Sequence, residues 1–245
     1  NKTYSRNNWK GTPSFEYQHI NSRFHILDRI NDVEFSRDFN LAQEFNQITQ
    51  NRFIFSFLNQ WNNSSFLNYK INYLDEKNSY TGIKNDLDFG WIKGKLNTRG
   101  NFSYLDTKAT FQDTKFVRSG IISEYSTKKG SWAIGGSMEH NVKNFNETNQ
   151  LDVSSFSWKE VFIQKKISDS ARTKLLTKMY FRDNDSVRNN SLENMNHILG
   201  IMAESQIIKT EKTTLNALIH YRKFYYQNQE ISANLNQDFV VGNIL

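Results

Sequence analysis

The sequence predicts an all-β fold, an antiparallel up-and-down meander of about twelve long strands. Three observations carry that expectation. Long stretches alternate apolar and polar residues, the period of a strand and not of a helix. Compact turn signals separate these stretches, and those starting at Thr127, Ser168 and Lys209 lie 41 residues apart. No residue motif recurs at that spacing, so it reflects uniform hairpin length and not a solenoid. Finally, 14% of the 245 residues are aromatic although only 37% are hydrophobic. The apolar surface therefore rests on Phe and Tyr set among Asn, Ser, Thr and Lys, where an ordinary soluble core leans on Leu, Val and Ile.

In chain order, Thr12 to Ile20 opens with Pro13, where a strand tolerates it, and continues with Phe15 and Tyr17 at alternate positions. The stretch Asn21 to Gln50 breaks the pattern and reads as an irregular insertion. A short helix fits Leu41 to Ile48 within it, with Asn40 as N-cap and Gln43 at the third helical position. Phe53, Phe55 and Phe57 then mark one strand and Leu67, Tyr69, Ile71 and Tyr73 the next, around the polar turn Trp61 to Ser65. Tyr80 to Ile92 and Lys95 to Asp106 flank a two-residue Lys93-Gly94 turn, with Ile83, Leu87, Phe89, Trp91, Leu96, Thr98, Phe102 and Tyr104 on one face.

Phe116 to Ser126 and Ser131 to Val142 form the clearest hairpin. With Lys128 and Lys129 as its loop, Val117, Ser119, Ile121, Ser123 and Tyr125 share a charge-free face with Trp132, Ile134, Gly136 and Met138. Ser155 to Ile167 and Arg172 to Asp183 follow. Their apolar stripe is read as Trp158, Phe162, Leu175, Met179 and Phe181, which leaves Glu160 as a charge on that stripe unless a bulge or a change of register turns it away. Asn196 to Ile208 and Thr213 to Tyr226 place Leu199, Ile201, Ala203, Ile207, Leu215, Ala217, Ile219 and Tyr221 on one face, which calls for a loop with an odd number of residues. A last strand begins at Ile231. The connections at Asp75 to Ser79, Thr107 to Asp113, Lys143 to Ser154 and Asn184 to Met195 read as longer loops gathered at one end.

Composition narrows the function classes. The net charge is +6, but the Lys and Arg are scattered, so no basic cluster for nucleic acid is visible. Without cysteine there are no disulfides or thiolate metal sites. No run approaches the ~18 apolar residues of a membrane helix. A transmembrane strand needs only ~9–11 residues, alternately apolar, so low mean hydropathy is compatible with a barrel. With no Met, basic n-region or apolar h-region at its start, the chain reads as a mature or partial protein, one β-barrel-type domain over residues 1–245 that forms part of something larger.

A charge at the bilayer midplane costs about 2–4 kcal/mol for Lys or Arg, so a lipid-facing stripe must exclude them. Most of the stripes do, and the strands are longer than the ~5–6 residues usual in a sandwich. The expected architecture is thus a transmembrane β-barrel or part of one, in contact with membrane lipid and other envelope proteins. The segment Val33-Glu34-Phe35-Ser36-Arg37-Asp38-Phe39-Asn40-Leu41 resembles an acidic-aromatic-Arg-Asp-aromatic-Asn segment of large outer-membrane β-barrel proteins of Bacteroidota, which are similarly rich in Asn, Lys, Phe and Tyr. That resemblance implies the bacterial outer membrane, and a role as a passive pore or as the membrane component of an envelope transport assembly. It implies no catalytic residue. A soluble or cell-surface antiparallel protein, with exposed Trp and Tyr stacking on sugars, is the alternative.

The candidate functional residues are those of the polar face. Lys84, Asp86, Asp88, Lys95, Arg99, Arg118, Glu124, Glu139, Lys159, Lys174, Lys178, Arg182, Glu204 and Arg222 would line a hydrated lumen of mixed sign. The irregular segment is the candidate plug or docking element, with Arg29, Glu34, Arg37 and Asp38 available to pair with lumen charges. His19, His25, His140, His197 and His220 have no partner at metal-ligand spacing, and no cofactor or catalytic set is expected. Gly135-Gly136-Ser137 is not a nucleophile elbow and marks a close approach inside a strand. Asp86 and Asp88 could form an acid pair, but Lys84 beside them favours a solvated charge ladder.

Overall fold

Strand propensity and alternation govern the whole chain: in the computed structural model, every regular element of the described residues is a β-strand. Those residues are 3–6, 8–21, 49–61, 64–110, 112–145, 152–170, 173–189, 191–209, 214–228 and 235–244. The strands are β1 (Tyr4–Arg6), β2 (Trp9–Ile20), β3 (Gln50–Trp61), β4 (Ser65–Glu76), β5 (Tyr80–Lys93), β6 (Leu96–Ala109), β7 (Gln112–Thr127), β8 (Gly130–Phe145), β9 (Asp152–Ser170), β10 (Thr173–Arg188), β11 (Ser191–Lys209), β12 (Thr214–Asn228) and β13 (Leu235–Ile244). They form one sheet in chain order from β1 to β13, with β1 and β13 as the two ends of that order. Apart from the three-residue β1, these are the twelve long strands expected. The fold is an antiparallel meander. The helix predicted over Leu41 to Ile48, the start of the last strand at Ile231, and the plug residues Arg29, Glu34, Arg37 and Asp38 lie outside the described residues.

The strands are longer and most connections shorter than the sequence suggests. Three segments read as longer loops are turns, since β4 and β5 are separated by residues 77–79, β6 and β7 by 110–111, and β10 and β11 by 189–190. Polar side chains keep these regions extended. Thr107 Oγ1 donates to the Thr114 carbonyl at 3.2 Å and accepts from the Thr114 N–H at 3.1 Å, and Asn184 Nδ2 donates to Asn196 Oδ1 at 2.6 Å. Lys115 Nζ meets Asp106 Oδ2 at 3.2 Å. Asn, Thr and Asp thus form cross-strand ladders where composition alone indicates loops.

Turn chemistry sets the register. The loop Lys128-Lys129 lies where expected, between Thr127 and Gly130. The turn after β5 is Gly94-Lys95, one residue later than expected, and Gly94 takes φ of 59°, a conformation glycine adopts without strain. The odd loop expected between β11 and β12 is replaced by residues 210–213 together with a register shift between Gln206 and Ile208. That bulge restores the parity, pairing Ile201 with Tyr221 and Ala203 with Ile219. A second shift between Ser186 and Val187 does the same between β10 and β11.

The chain divides into two compact units. Unit 1 comprises Asn1–Phe89, Asn101–Arg118 and Asn141–Ser155, and unit 2 comprises Gly90–Gly100, Ser119–His140 and Phe156–Leu245.

Candidate functional site

Alternation puts many large apolar side chains on the solvent-exposed side of each unit. In unit 2, Ile121, Tyr125, Trp132, Ile134 and Met138 are exposed, Ile134 by 65%. These belong to the charge-free face expected for the β7–β8 hairpin. Val161, Ile163, Met179, Phe181, Leu199, Ile201 and Ile219 are exposed along the next four strands. In unit 1, Phe15, Tyr17, Phe53, Phe55, Trp61 and Tyr73 are exposed. Tyr17, Phe53 and Tyr73 are register partners on β2, β3 and β4 and form a lateral aromatic row, with ring centroids 4.7 and 6.1 Å apart. Trp61 lies on the same side of β3 as Phe53 and eight residues on, about 26 Å along the strand at ~3.3 Å per residue.

The protected side of unit 1 sets a small apolar cluster among buried polar side chains, Gln50, Asn72, Lys84, Thr107 and Thr114. Leu74 and Leu105, both 0% exposed, pack with Tyr80, and Ala109 and Phe116 close over them. Lys84 is buried on this side and lies 3.6 Å from Asp86, which also accepts from the Ser103 hydroxyl at 2.5 Å. Asp88 and Arg118 are exposed. Asp86 is engaged by a cation and a hydroxyl and Asp88 faces water, the arrangement of a charge ladder.

The protected side of unit 2 is polar and connected. Glu160, only 6% exposed, accepts from Lys178 Nζ at 2.7 Å through Oε1, and from Arg182 Nε at 2.9 Å and Nη2 at 2.7 Å through Oε2. Aromatic rings back the cations. Arg182 stands 5.0 Å over Trp158, and Lys178 stands 4.4 Å over Phe162 and 5.2 Å from the Tyr180 ring. Trp158 Nε1 donates to Glu139 Oε2 at 3.3 Å. Tyr180, Gly200 and Arg222 form one row across β10, β11 and β12. Because Gly200 has no side chain, the Tyr180 ring lies over it in the space a Cβ would take. The phenol reaches His220 Nε2 at 2.8 Å, and Arg222 Nη2 lies 2.9 Å from His220 Nδ1.

This geometry corrects the stripe expected for β9. Trp158, Glu160 and Phe162 all lie on the charged side, so Glu160 is no charge on an apolar stripe, and no bulge is needed to remove it. Phe162 sits against Gly135, the close approach that the small residues of β8 mark. The apolar side of β9 is Val161 and Ile163. Trp158 and Phe162 are on the polar side because their π faces hold cations, a use that hydrophobicity alone does not reveal.

Two lysines also depart from expectation. Lys95 is a turn residue, and Lys159 is exposed on the side of Val161 and Ile163, where its long stem lets the ammonium reach water. Lys165, which the sequence did not single out, stands 4.6 Å over the exposed Trp132 ring.

Among the other predicted residues, Glu124 is half-buried and accepts from the Ser131 hydroxyl, while Arg99 and Glu204 are exposed. The side chain of Lys174 lies outside the described residues. The structure brings Lys178, Arg182 and Glu160 together, with Arg222 on Tyr180 and His220, and leaves Lys84 and Asp86 as a separate pair. The contributions of Tyr180, Trp158 and Phe162 were not legible in the sequence, although Gly200 between Leu199 and Ile201 signals a close approach. Among the described residues, no three His, Asp or Glu side chains are grouped to hold a metal. No protein-family model matches the chain, and no curated protein matches it.

Proposed function

We propose that the chain is a bacterial outer-membrane β-barrel or part of one, acting as a passive pore or as the membrane component of an envelope transport assembly. The observation that carries this reading is the inverted exposure. Ile134, Val161, Phe181, Leu199 and Ile219 are exposed, while Glu160, Lys178 and Arg182 lie on the protected side. A soluble sandwich would bury the apolar side against a second sheet, but among the described residues all thirteen strands belong to one sheet. At the ~35–45° tilt of a barrel strand, the ~26 Å from Phe53 to Trp61 on β3 rises about 18–21 Å, most of an apolar band ~25 Å tall. Lys165 over Trp132 is the pairing expected where such a band meets water.

Detergent dependence tests the reading. The chain is expected to remain monodisperse only with detergent or lipid and to partition into the detergent phase; a monodisperse chain in plain buffer that ignores detergent overturns it. Met138→Lys, six residues from Trp132 on the same face of β8, is expected to cost about 2–4 kcal/mol of stability in lipid vesicles, while the same change in a soluble sheet would stay within about 0.5 kcal/mol. Conductance across a planar bilayer separates a pore from a sealed scaffold. The aromatic row Tyr17, Phe53 and Tyr73 favours a second reading, a cell-surface protein that stacks on sugars. Saturable oligosaccharide binding in plain buffer, lost in Phe53→Ala, would carry it.

A further inference from the structure

We propose that unit 2 binds an oxyanion, the carboxylate or phosphate group of a water-borne solute, on the protected side around Tyr180 and Arg222. The first observation is an excess of cations. Lys178 and Arg182 on β10 and Arg222 on β12, with β11 between them, are cationic donors on one side of the sheet, and both oxygens of Glu160 are taken up by the first two. Arg222 instead turns its guanidinium to the His220 imidazole, with Nη2 2.9 Å from Nδ1 and Nε 3.2 Å from each ring nitrogen. No carboxylate among the described residues is placed on it. The flanking acids are Glu139, engaged by Trp158, and Glu204, which lies four residues along β11 from the Arg222 partner Gly200, about 13 Å away.

The second observation concerns protons. A guanidinium only donates, and Arg222 Nε lies 3.2 Å from both ring nitrogens of His220, so the Tyr180–His220 bond at 2.8 Å runs in either direction with the tautomer. With the ring proton on Nε2 the imidazole donates to the Tyr180 oxygen, and the Tyr180 O–H is left to donate to a bound anion. Arg222 keeps further N–H groups beyond those aimed at His220. The row therefore offers a guanidinium edge and, in that tautomer, a hydroxyl proton, for which no acceptor stands among the described residues, the complement of an oxyanion. Tyr180 is fixed in place by the space over Gly200. The inference deepens the membrane reading by giving it an anionic cargo, but the binding itself needs only the folded sheet.

The test is calorimetric titration of the full chain with sodium phosphate, in whichever of buffer or detergent keeps it monodisperse, against sodium chloride at equal ionic strength. Saturable heat with phosphate and not with chloride is expected. Arg222→Gln should weaken binding by about tenfold or more, and Tyr180→Phe, which keeps the ring over Gly200, by roughly tenfold. Lys115→Gln in unit 1 should bind as the parent does. Absence of saturable heat in the parent chain overturns the proposal, as does equal heat with chloride. Unchanged affinity in both Arg222→Gln and Tyr180→Phe overturns it as well, because the anion then sits elsewhere on a chain of net charge +6. Circular dichroism and urea midpoints confirm that each variant folds, and Tyr180→Phe keeps the test decisive if Arg222→Gln does not.

Discussion

Unit 1 protects Leu74, Tyr80 and Leu105, whereas unit 2 protects Glu160 and the cations around it. Both are built from the same long alternating strands, yet unit 1 protects a small apolar cluster among neutral polar groups and one Lys84–Asp86 pair, while unit 2 protects a connected charge network. A charged network costs desolvation and must satisfy every member, so its presence points to use more than to stability.

The largest effect that tests this contrast is in unit 1. Leu105→Ala should cost about 2–5 kcal/mol, read as a shift of the urea midpoint. If it costs less than any change in unit 2, packing is not what holds unit 1. Glu160→Ala comes next, at roughly 2 kcal/mol, because it strands Lys178 and Arg182; the side chains of those cations are 23% and 40% exposed, and water softens the loss. A double-mutant cycle with Lys178→Ala should return a coupling of about 1 kcal/mol, and additive behaviour would show that the pair is not coupled.

Gly200→Ala should cost about 1–3 kcal/mol because the new methyl group meets the Tyr180 ring. In the background of Tyr180→Ser the same change should cost almost nothing, and an undiminished cost there would place the clash elsewhere. The smallest effect belongs to Lys165→Ala, about 0.5–1 kcal/mol for the loss of its contact with the Trp132 ring. Unchanged Trp fluorescence together with an unchanged urea midpoint would show that the contact contributes nothing.

Much of the fold was legible because strand patterning is local. The charge-free side of the hairpin around Lys128-Lys129 follows from turn length and alternation alone, and the structure reproduces it. Strand ends were less legible, since Thr107, Thr114, Asn184 and Asn196 carry the composition of a loop but pair across strands. Parity failed between β11 and β12 because one bulge residue and one loop residue have the same effect on facing, and only the backbone distinguishes them. At the candidate site, charge marked Lys178, Arg182 and Arg222. The aromatic rings that hold them were misplaced, because a Phe or Trp reads as apolar whether it meets an apolar medium or an ammonium.

The strictly sequential order of the sheet also bears on how the chain reaches this state. Every strand pairs only with those just before and just after it, so each hairpin can close without waiting for distant sequence. Contact order is low for a sheet of this size, and closure of one pair presents an edge for the next. A Greek-key sandwich must instead bring remote strands together before they are stabilised. The meander can zip from any nucleus, and the edges it exposes along the way, open to pairing with another chain, are the price of that freedom.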